Sequence, residues 1–588
     1  MIFSSLFPSA LPRPRPTEPG ERIFQPPAWD WVAVGEVGWW VRPDWSETLL
    51  GPEGLRLAEW RESGQLAKVK ESPQRVVYRV DLPEGSIYIK HFLVPTWRET
   101  LRQWFRRGKG RNEGKRALRL AQTGVPTITP IALGERRRRK FLFENYLITR
   151  GIPGAVPLNE FVEGRLDEIP EPRRSRLRRE LARALGELTA RLHEVGFVHQ
   201  DFHPGNLLVD LTPEGRPWLA MIDLDALRVR RKLTWKDVGR NLALLNHYFW
   251  LRSNRTDRHR FLRAYLAARS DRPRRLKAFA RGIEEATRAW AERLWRRWGR
   301  RCLATNKYFQ AYQAPRAWAV ASRDLDAATV AALLADPDAP FRHPGAALLK
   351  DSRTTTVAEL ELPVLGRPRR VIYKRFNRKK WLDPWLCLFR PSRAWRAWQA
   401  GQHLASRAVP TPQNLAVIAR TGSLGLPLDT YLVTIKAEPS ITLSDYARTT
   451  LAGLDPTERR EQIRRLTPAL ARLIRTLHER SLSQRDLKAA NILIEGDPSA
   501  GRLSLIDLVG VRLVHPLPRG RRLQNLARLQ VSLADVSGRT RTDALRFLRF
   551  YLPWAQTPRR DWKALWRAIQ RRCRAKEARN RRRGRPLS

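Results

Sequence analysis

The sequence predicts an α+β fold built twice over, as two two-lobed domains in tandem. Three observations lead there. At 588 residues the chain exceeds what one hydrophobic core usually spans. It repeats itself at a period far longer than any solenoid repeat. In each copy strand-like segments come first and helix-favouring segments later, the order of an α+β arrangement.

The repeat is read residue by residue. Tyr88-Ile89-Lys90-His91-Phe92 returns as Ile372-Tyr373-Lys374-Arg375-Phe376, 284 positions later at the lysine. The same offset pairs Trp97 with Trp381, Phe105 with Phe389, Arg106 with Arg390 and Val125-Pro126-Thr127 with Val409-Pro410-Thr411. At an offset of 285, Tyr146-Leu147-Ile148-Thr149 meets Tyr431-Leu432-Val433-Thr434, and Leu192-His193-Glu194 meets Leu477-His478-Glu479. Asp201 then aligns with Asp486, and Asn206 with Asn491.

The elements follow in order. Apolar alternation over 75–80, a Pro-Glu-Gly turn and Ile87-Tyr88-Ile89 predict strands around Lys90. A helix is predicted over 112–121 and another strand over 146–149. Amphipathic helices are predicted over 181–193 and 469–478, each followed by a polar loop and a strand, at 219–222 and 503–506. The stretch 277–301, with Phe279, Ile283, Trp290, Leu294 and Trp298 near helical spacing, reads as the last helix of the first domain. The proline-rich start (Pro8, Pro12, Pro14, Pro16, Pro19) reads as an extension. The resulting division is an N-terminal extension 1–55, domains at 56–300 and 301–555, and a basic tail 556–588.

Composition excludes several classes. Hydrophobic content of 42% with 22 tryptophans supplies real cores, so this is no disordered basic protein. Three cysteines, Cys302, Cys387 and Cys573, without paired or metal-ligand spacing, argue for a reducing compartment. No secretory signal or membrane-length apolar run is present, which leads to an expected cytoplasmic location, peripheral on the inner membrane face. The net charge of +53, concentrated in runs such as 136–140 and 571–585, would attract polyanions. Nucleic acid, anionic lipid headgroups and acidic glycolipids satisfy that attraction alike, and an arginine-rich composition explains part of it.

The chemistry lies in two loops. His199-Gln200-Asp201-Phe202-His203-Pro204-Gly205-Asn206 directly follows a helix and precedes Met221-Ile222-Asp223. An Asp, an Asn five residues on, and a second Asp at the end of the next strand is what phosphoryl transfer requires. Asp201 would accept or orient the acceptor's proton, while Asn206 and Asp223 offer magnesium the hard oxygens it prefers. Lys90, on an upstream strand, would neutralise nucleotide phosphates, and Glu113 would hold Lys90 in place. His193 and His478, at helix ends, read as hydrogen-bonded structural histidines. Asp225 reads as a surface or capping residue.

Lys90, Glu113 ahead of Gly124-Val125-Pro126, the His199-x-Asp201 loop with Asn206, and Ile222-Asp223 resemble the protein kinase-like superfamily. More closely they resemble the bacterial lipopolysaccharide core kinase (Kdo/WaaP) family, whose members phosphorylate inner-core sugars. The likeness covers roughly residues 65–250 and 345–515. It implies two tandem bilobal protein kinase-like domains, ATP and magnesium (Mg2+) as cofactors, and a sugar or glycolipid acceptor. The chain departs from protein kinases in lacking a glycine-rich hairpin before Lys90; Lys70-Glu71-Ser72-Pro73-Gln74 stands there instead. Asp223 is followed by Leu224-Asp225, not Phe-Gly. His203 and the Pro-Gly-Asn after it resemble small-molecule kinases.

The second copy offers Asp486 as base, Asn491 and Asp507 as metal ligands, and Lys374 and Lys488 as phosphate contacts. Its loop, Gln484-Arg485-Asp486-Leu487-Lys488-Ala489-Ala490-Asn491, has glutamine where the first copy has His199. Ala397 stands in register with Glu113. The histidine's loss is expected to weaken the copy, and catalytic and pseudokinase readings of it both stay open. For the whole chain the leading expectation is a phosphotransferase acting on a lipopolysaccharide core or lipid-linked sugar. A protein serine/threonine kinase and a non-catalytic basic scaffold for membrane or nucleic acid are the alternatives.

Overall fold

The computed structural model describes residues 29–72, 75–93, 108–138, 141–378, 391–422, 425–498, 501–552, 559–582 and 584. The proline-rich start, Pro73, Gln74, Arg139, Lys140, Cys387 and the pairs Trp97/Trp381, Phe105/Phe389 and Arg106/Arg390 lie outside them. The chain divides into two units at 291/292. Each holds a seven-stranded antiparallel sheet and a mainly helical lobe among the described residues.

In the first unit the sheet runs, edge to edge, through Asp30–Val34, Val37–Val41, Thr129–Arg138, Phe141–Arg150, Gly85–Leu93, Arg75–Leu82 and Leu66–Ser72. Its core forms because alternate residues point one way: Ile87 and Ile89 are fully buried, as are Ile131 and Ile148. Lys90, one step out of that phase, sits between Val77 and Leu147 in the register and faces the helix Lys109–Gln122. Residues 30–41, assigned above to an extension, are two strands of this sheet. Val37, Trp39 and Val41 alternate onto its covered side, with Trp39 and Val41 buried.

The second lobe is organised by the helix Arg173–Glu194, whose Leu177, Leu181, Leu185, Leu188 and Leu192 repeat at helical spacing and are buried. Gly186 lets the helix Arg255–Ala267 approach; a Cβ there would stand 2.6 Å from Phe261 O. Short strands Phe197–His199 and Leu227–Val229 pair, as do Leu207–Leu211 and Pro217–Met221, and between them they present the polar loop.

The second unit repeats the plan. Its sheet runs Phe309–Ala314, Ala317–Ser322, Asn414–Thr421, Pro427–Ile435, Arg367–Phe376, Thr355–Val364 and Ala347–Ser352. Lys374 lies between Val357 and Leu432, the counterparts of Val77 and Leu147. Its lobe is built on the helix Pro456–Glu479. The supposed tail contains the helix Arg559–Arg582, in which Ile569 and Cys573 are buried and Trp566 packs on the same core. The unit boundary falls inside the helix Leu276–Arg301. Phe279 and Ile283 pack in the first unit, and Trp298 lies against Phe309 in the second. Among the described residues no helix is long and apolar enough to cross a membrane.

Candidate active site

In the first unit four charged side chains converge. Lys90 Nζ stands 2.5 Å from Glu113 Oε1 and 3.8 Å from Asp223 Oδ1. Glu113, on the helix Lys109–Gln122, is fully buried, and its Oε1 also accepts the backbone N–H of Leu224 at 3.1 Å. One carboxylate oxygen thus fixes both the lysine and the turn that follows Asp223. Arg75 donates to Asp223 Oδ1 at 3.3 Å. Burial raises the Asp223 carboxyl's pKa, but Lys90 and Arg75 outweigh it and hold the group below the ordinary aspartate value. Asp223 adopts a left-handed backbone (φ 55, ψ 57), which turns its carboxylate back toward Lys90.

The polar loop is tied down by hydrogen bonds that define a single direction of donation. The backbone N–H of Asp201 points at His199 Nδ1 (3.3 Å), so His199 Nε2 donates to Asp223 O (3.1 Å). Asn206 Nδ2 donates to Asp201 O at 2.8 Å, which leaves its Oδ1 as the acceptor end. Behind the loop, Tyr265 OH meets His193 Nδ1, and His193 Nε2 meets Asn241 Oδ1. Asn241 Nδ2 in turn donates to His199 O at 2.6 Å. Burial pushes His193 down to about 4, so the ring is neutral, as a structural histidine should be. Asp201 itself faces outward, with His203 Nε2 3.5 Å from its Oδ2. Asp225 pairs with Arg116 at 3.2 Å and takes no part in this cluster.

These groups fit a divalent cation. Asp223 and Asn206 offer hard oxygens beside the cationic side chains of Lys90 and Arg75, while no group of three or more His, Cys, Asp or Glu side chains suited to a metal occurs among the described residues. A cation held by so few protein ligands draws the rest from phosphate and water, as magnesium does.

The second site has the same frame with different contents. Asn491 Nδ2 donates to Asp486 O at 2.8 Å, and Lys488 Nζ lies 3.8 Å from Asp486 Oδ2. Asp507 is left-handed like Asp223 (φ 55, ψ 66). Tyr551, His478 and Asn525 reproduce the chain behind the loop, ending on Gln484 O. Gln484 ties the second loop in place of the histidine. Its Nε2 donates to Asp507 O (2.9 Å), and its Oε1 accepts from Asp486 N (3.3 Å), the two bonds that His199 makes. The amide fits because Gly510 stands where the first copy has Ala226; a Cβ there would lie 2.2 Å from Gln484 Oε1. Ala397, fifth residue of Arg393–Ser406 as Glu113 is of Lys109–Gln122, is buried, and Lys374 turns instead to Asp507 at 3.1 Å.

Sequence reasoning did not name Arg75, Ala226 or Gly510, nor Tyr265 and Asn241 behind the first loop and Tyr551 and Asn525 behind the second. Arg75 has Thr355 as its counterpart: each follows a hairpin whose preceding serine hydroxyl donates to its carbonyl, Ser72 at 3.1 Å and Ser352 at 2.9 Å. The register Ser72↔Arg75 and Ser352↔Thr355 states the same equivalence.

Comparison with known proteins agrees with this duplicated site. The model of the lipopolysaccharide kinase (Kdo/WaaP) family matches residues 63–265 and again 367–551, together more than half of the chain. A curated relative, the lipopolysaccharide core heptose(I) kinase WaaP of Pseudomonas aeruginosa, is 30% identical over 158 residues, 26% of this chain. The chain spans 57% of that relative's length. Among solved structures, WaaP in complex with acyl carrier protein is similar at 20% identity and a TM-score of 0.32, covering 43% of this chain and 98% of that one. The two family matches fall on the two copies, one on each site, and the chain belongs to the lipopolysaccharide kinase (Kdo/WaaP) family.

Proposed function

We propose that the first domain is a kinase that transfers the γ-phosphate of ATP to a hydroxyl of a lipopolysaccharide core or lipid-linked sugar. The observation that carries this reading is the buried Lys90–Glu113 pair at 2.5 Å, set beside the carboxylate of Asp223. A lysine so held presents its remaining donors to nucleotide phosphates without the entropy loss of a free side chain. Asn206 and Asp223 would hold magnesium, which when bound supplies positive charge to the phosphates. Asp201, outward-facing at the loop, accepts or orients the proton of the acceptor hydroxyl. The exposed position of that carboxylate suits an acceptor that arrives from solvent or a membrane surface. The charge of +53 supports an anionic acceptor and a peripheral position at the cytoplasmic face of a membrane.

The second domain keeps the loop and loses the Glu–Lys clamp. We read it as a weak or non-transferring site.

The test is to incubate the full chain with ATP, magnesium and core oligosaccharide and to look for a phosphosugar by mass spectrometry. Phosphosugar that disappears in Asp201→Asn is the expected result. Labelled protein with no phosphosugar would turn the reading toward a protein kinase.

A further inference from the structure

Kinases that cover nucleotide phosphates with a glycine-rich hairpin do so through backbone N–H groups, which glycine lets approach closely. This chain has no glycine between Gly64 and Gly85, the whole of the corresponding hairpin. What the hairpin contributes instead is a side chain. Arg75, at the first position of the strand Arg75–Leu82, is mostly buried at 21% exposure and reaches Asp223 Oδ1, the same oxygen that Lys90 approaches.

We propose that Arg75 is a phosphate-binding residue of the first domain, doing with its guanidinium what a glycine-rich hairpin does with its backbone. This inference rests on the reading of the first domain as a nucleotide-dependent kinase. Asp223 Oδ1 cannot serve Arg75, Lys90 and a cation equally well. A cation taken up by Asp223 would release Arg75 beside it, free to turn its donors to phosphate. A guanidinium matches phosphate oxygens with two parallel donors, where an ammonium offers one point of charge. In the second domain the arginine is missing from the copy that has also lost the Glu–Lys clamp. It has lost Arg75 to Thr355 and Glu113 to Ala397 together, one cation and one anion. There Lys374, with no glutamate to share, closes on Asp507 at 3.1 Å.

The experiment measures nucleotide affinity by calorimetry on the full chain, in a Lys374→Ala background that silences the second site. The ligands are AMP and a non-hydrolysable ATP analogue with magnesium, and each is titrated into protein bearing Arg75, Arg75→Ala or Arg75→Lys. The expected result is that Arg75→Ala weakens the ATP analogue about tenfold or more and AMP by no more than about twofold, with Arg75→Lys between. Should both ligands weaken alike, or neither change, Arg75 is a structural partner of Asp223 and the inference falls. If Arg75→Ala unfolds, Arg75→Lys decides on the same criterion, a selective loss of the triphosphate. Failure of the analogue to bind the Arg75 protein at all would overturn the proposed function itself, and this role with it.

Discussion

The two sites differ by replacements that come in pairs. In the first, Lys90, Arg75, Glu113 and Asp223 form a cluster of two positive and two negative groups. In the second, Thr355 and Ala397 leave Lys374 and Asp507 as one of each. Charge balance survives while half the charges vanish. The loops show the same logic in volume: His199 with Ala226 becomes Gln484 with Gly510, and both backbone hydrogen bonds survive. Buried polar clusters tolerate coordinated change far better than the loss of one member, because an orphaned charge or a steric overlap costs more than a missing pair. The second copy therefore keeps the hydrogen-bonded frame of the loop without the Glu–Lys pair.

The strongest way to break that contrast is at Asp201 and Asp486, the proposed bases. Asp201→Asn is expected to lower turnover by about 10²–10⁴-fold, and Asp486→Asn to change it by no more than about twofold. Equal losses in an acceptor-dependent assay would remove the asymmetry. Next in size is Glu113→Ala, which leaves Lys90 without its buried partner and is expected to cost about 3 kcal/mol of stability in denaturant unfolding. Combined with Arg75→Thr, the pair found in the second domain, it should cost less than the two single changes summed, by about 1 kcal/mol. Additivity would show that the charges are independent.

A smaller effect separates the loops. His199→Gln alone presses its amide on the Ala226 methyl and is expected to cost about 1–3 kcal/mol, whereas His199→Gln with Ala226→Gly should cost under about 1 kcal/mol and keep activity within about threefold.

The smallest effect is in pH. Burial holds His193 and His478 near 4 and lowers His199 as well. An imidazole whose folded pKa lies below its unfolded value of 6.5 binds fewer protons folded than unfolded. Its stabilising contribution is complete above 6.5 and drains away as pH falls toward 4. The first loop carries two such rings and the second one, since Gln484 does not titrate. Acid titration from pH 7 to 4, followed by hydrogen exchange at the two loops, should open the first before the second. Replacing His199 and Ala226 by the Gln/Gly pair should narrow the gap.

Most of the chemistry was legible because it is local. Asp201, Asn206 and Asp223 lie within one loop and one strand, and the duplication doubled the signal. Glu113 was legible as the acidic residue 23 positions past Lys90 on the helix predicted over 112–121. What escaped was carried by contacts distant in sequence. Asp30–Val34 and Val37–Val41 form a local hairpin, but it joins the sheet only through Thr129–Arg138, more than ninety residues on, so its place in the sheet was not announced nearby. The arginine density of 571–585 hid the apolar spacing of Trp566, Ile569 and Cys573. Gly510 is unremarkable until Gln484 is seen against it. Arg75 looked like one basic residue among 111.

Asp223 and Asp507 both hold φ at 55, a conformation that costs most side chains roughly 1 kcal/mol or more. Only glycine, asparagine and aspartate take it up readily. This narrows what evolution or a protein engineer can put there. Glutamate, which keeps the charge and adds one methylene, is the substitution the backbone resists, while asparagine keeps the turn and loses the charge. At these positions similarity of shape in the main chain ranks above similarity of function in the side chain. A relative that no longer needs a carboxylate here is therefore expected to drift toward asparagine or glycine, and the second copy still carries aspartate at 507.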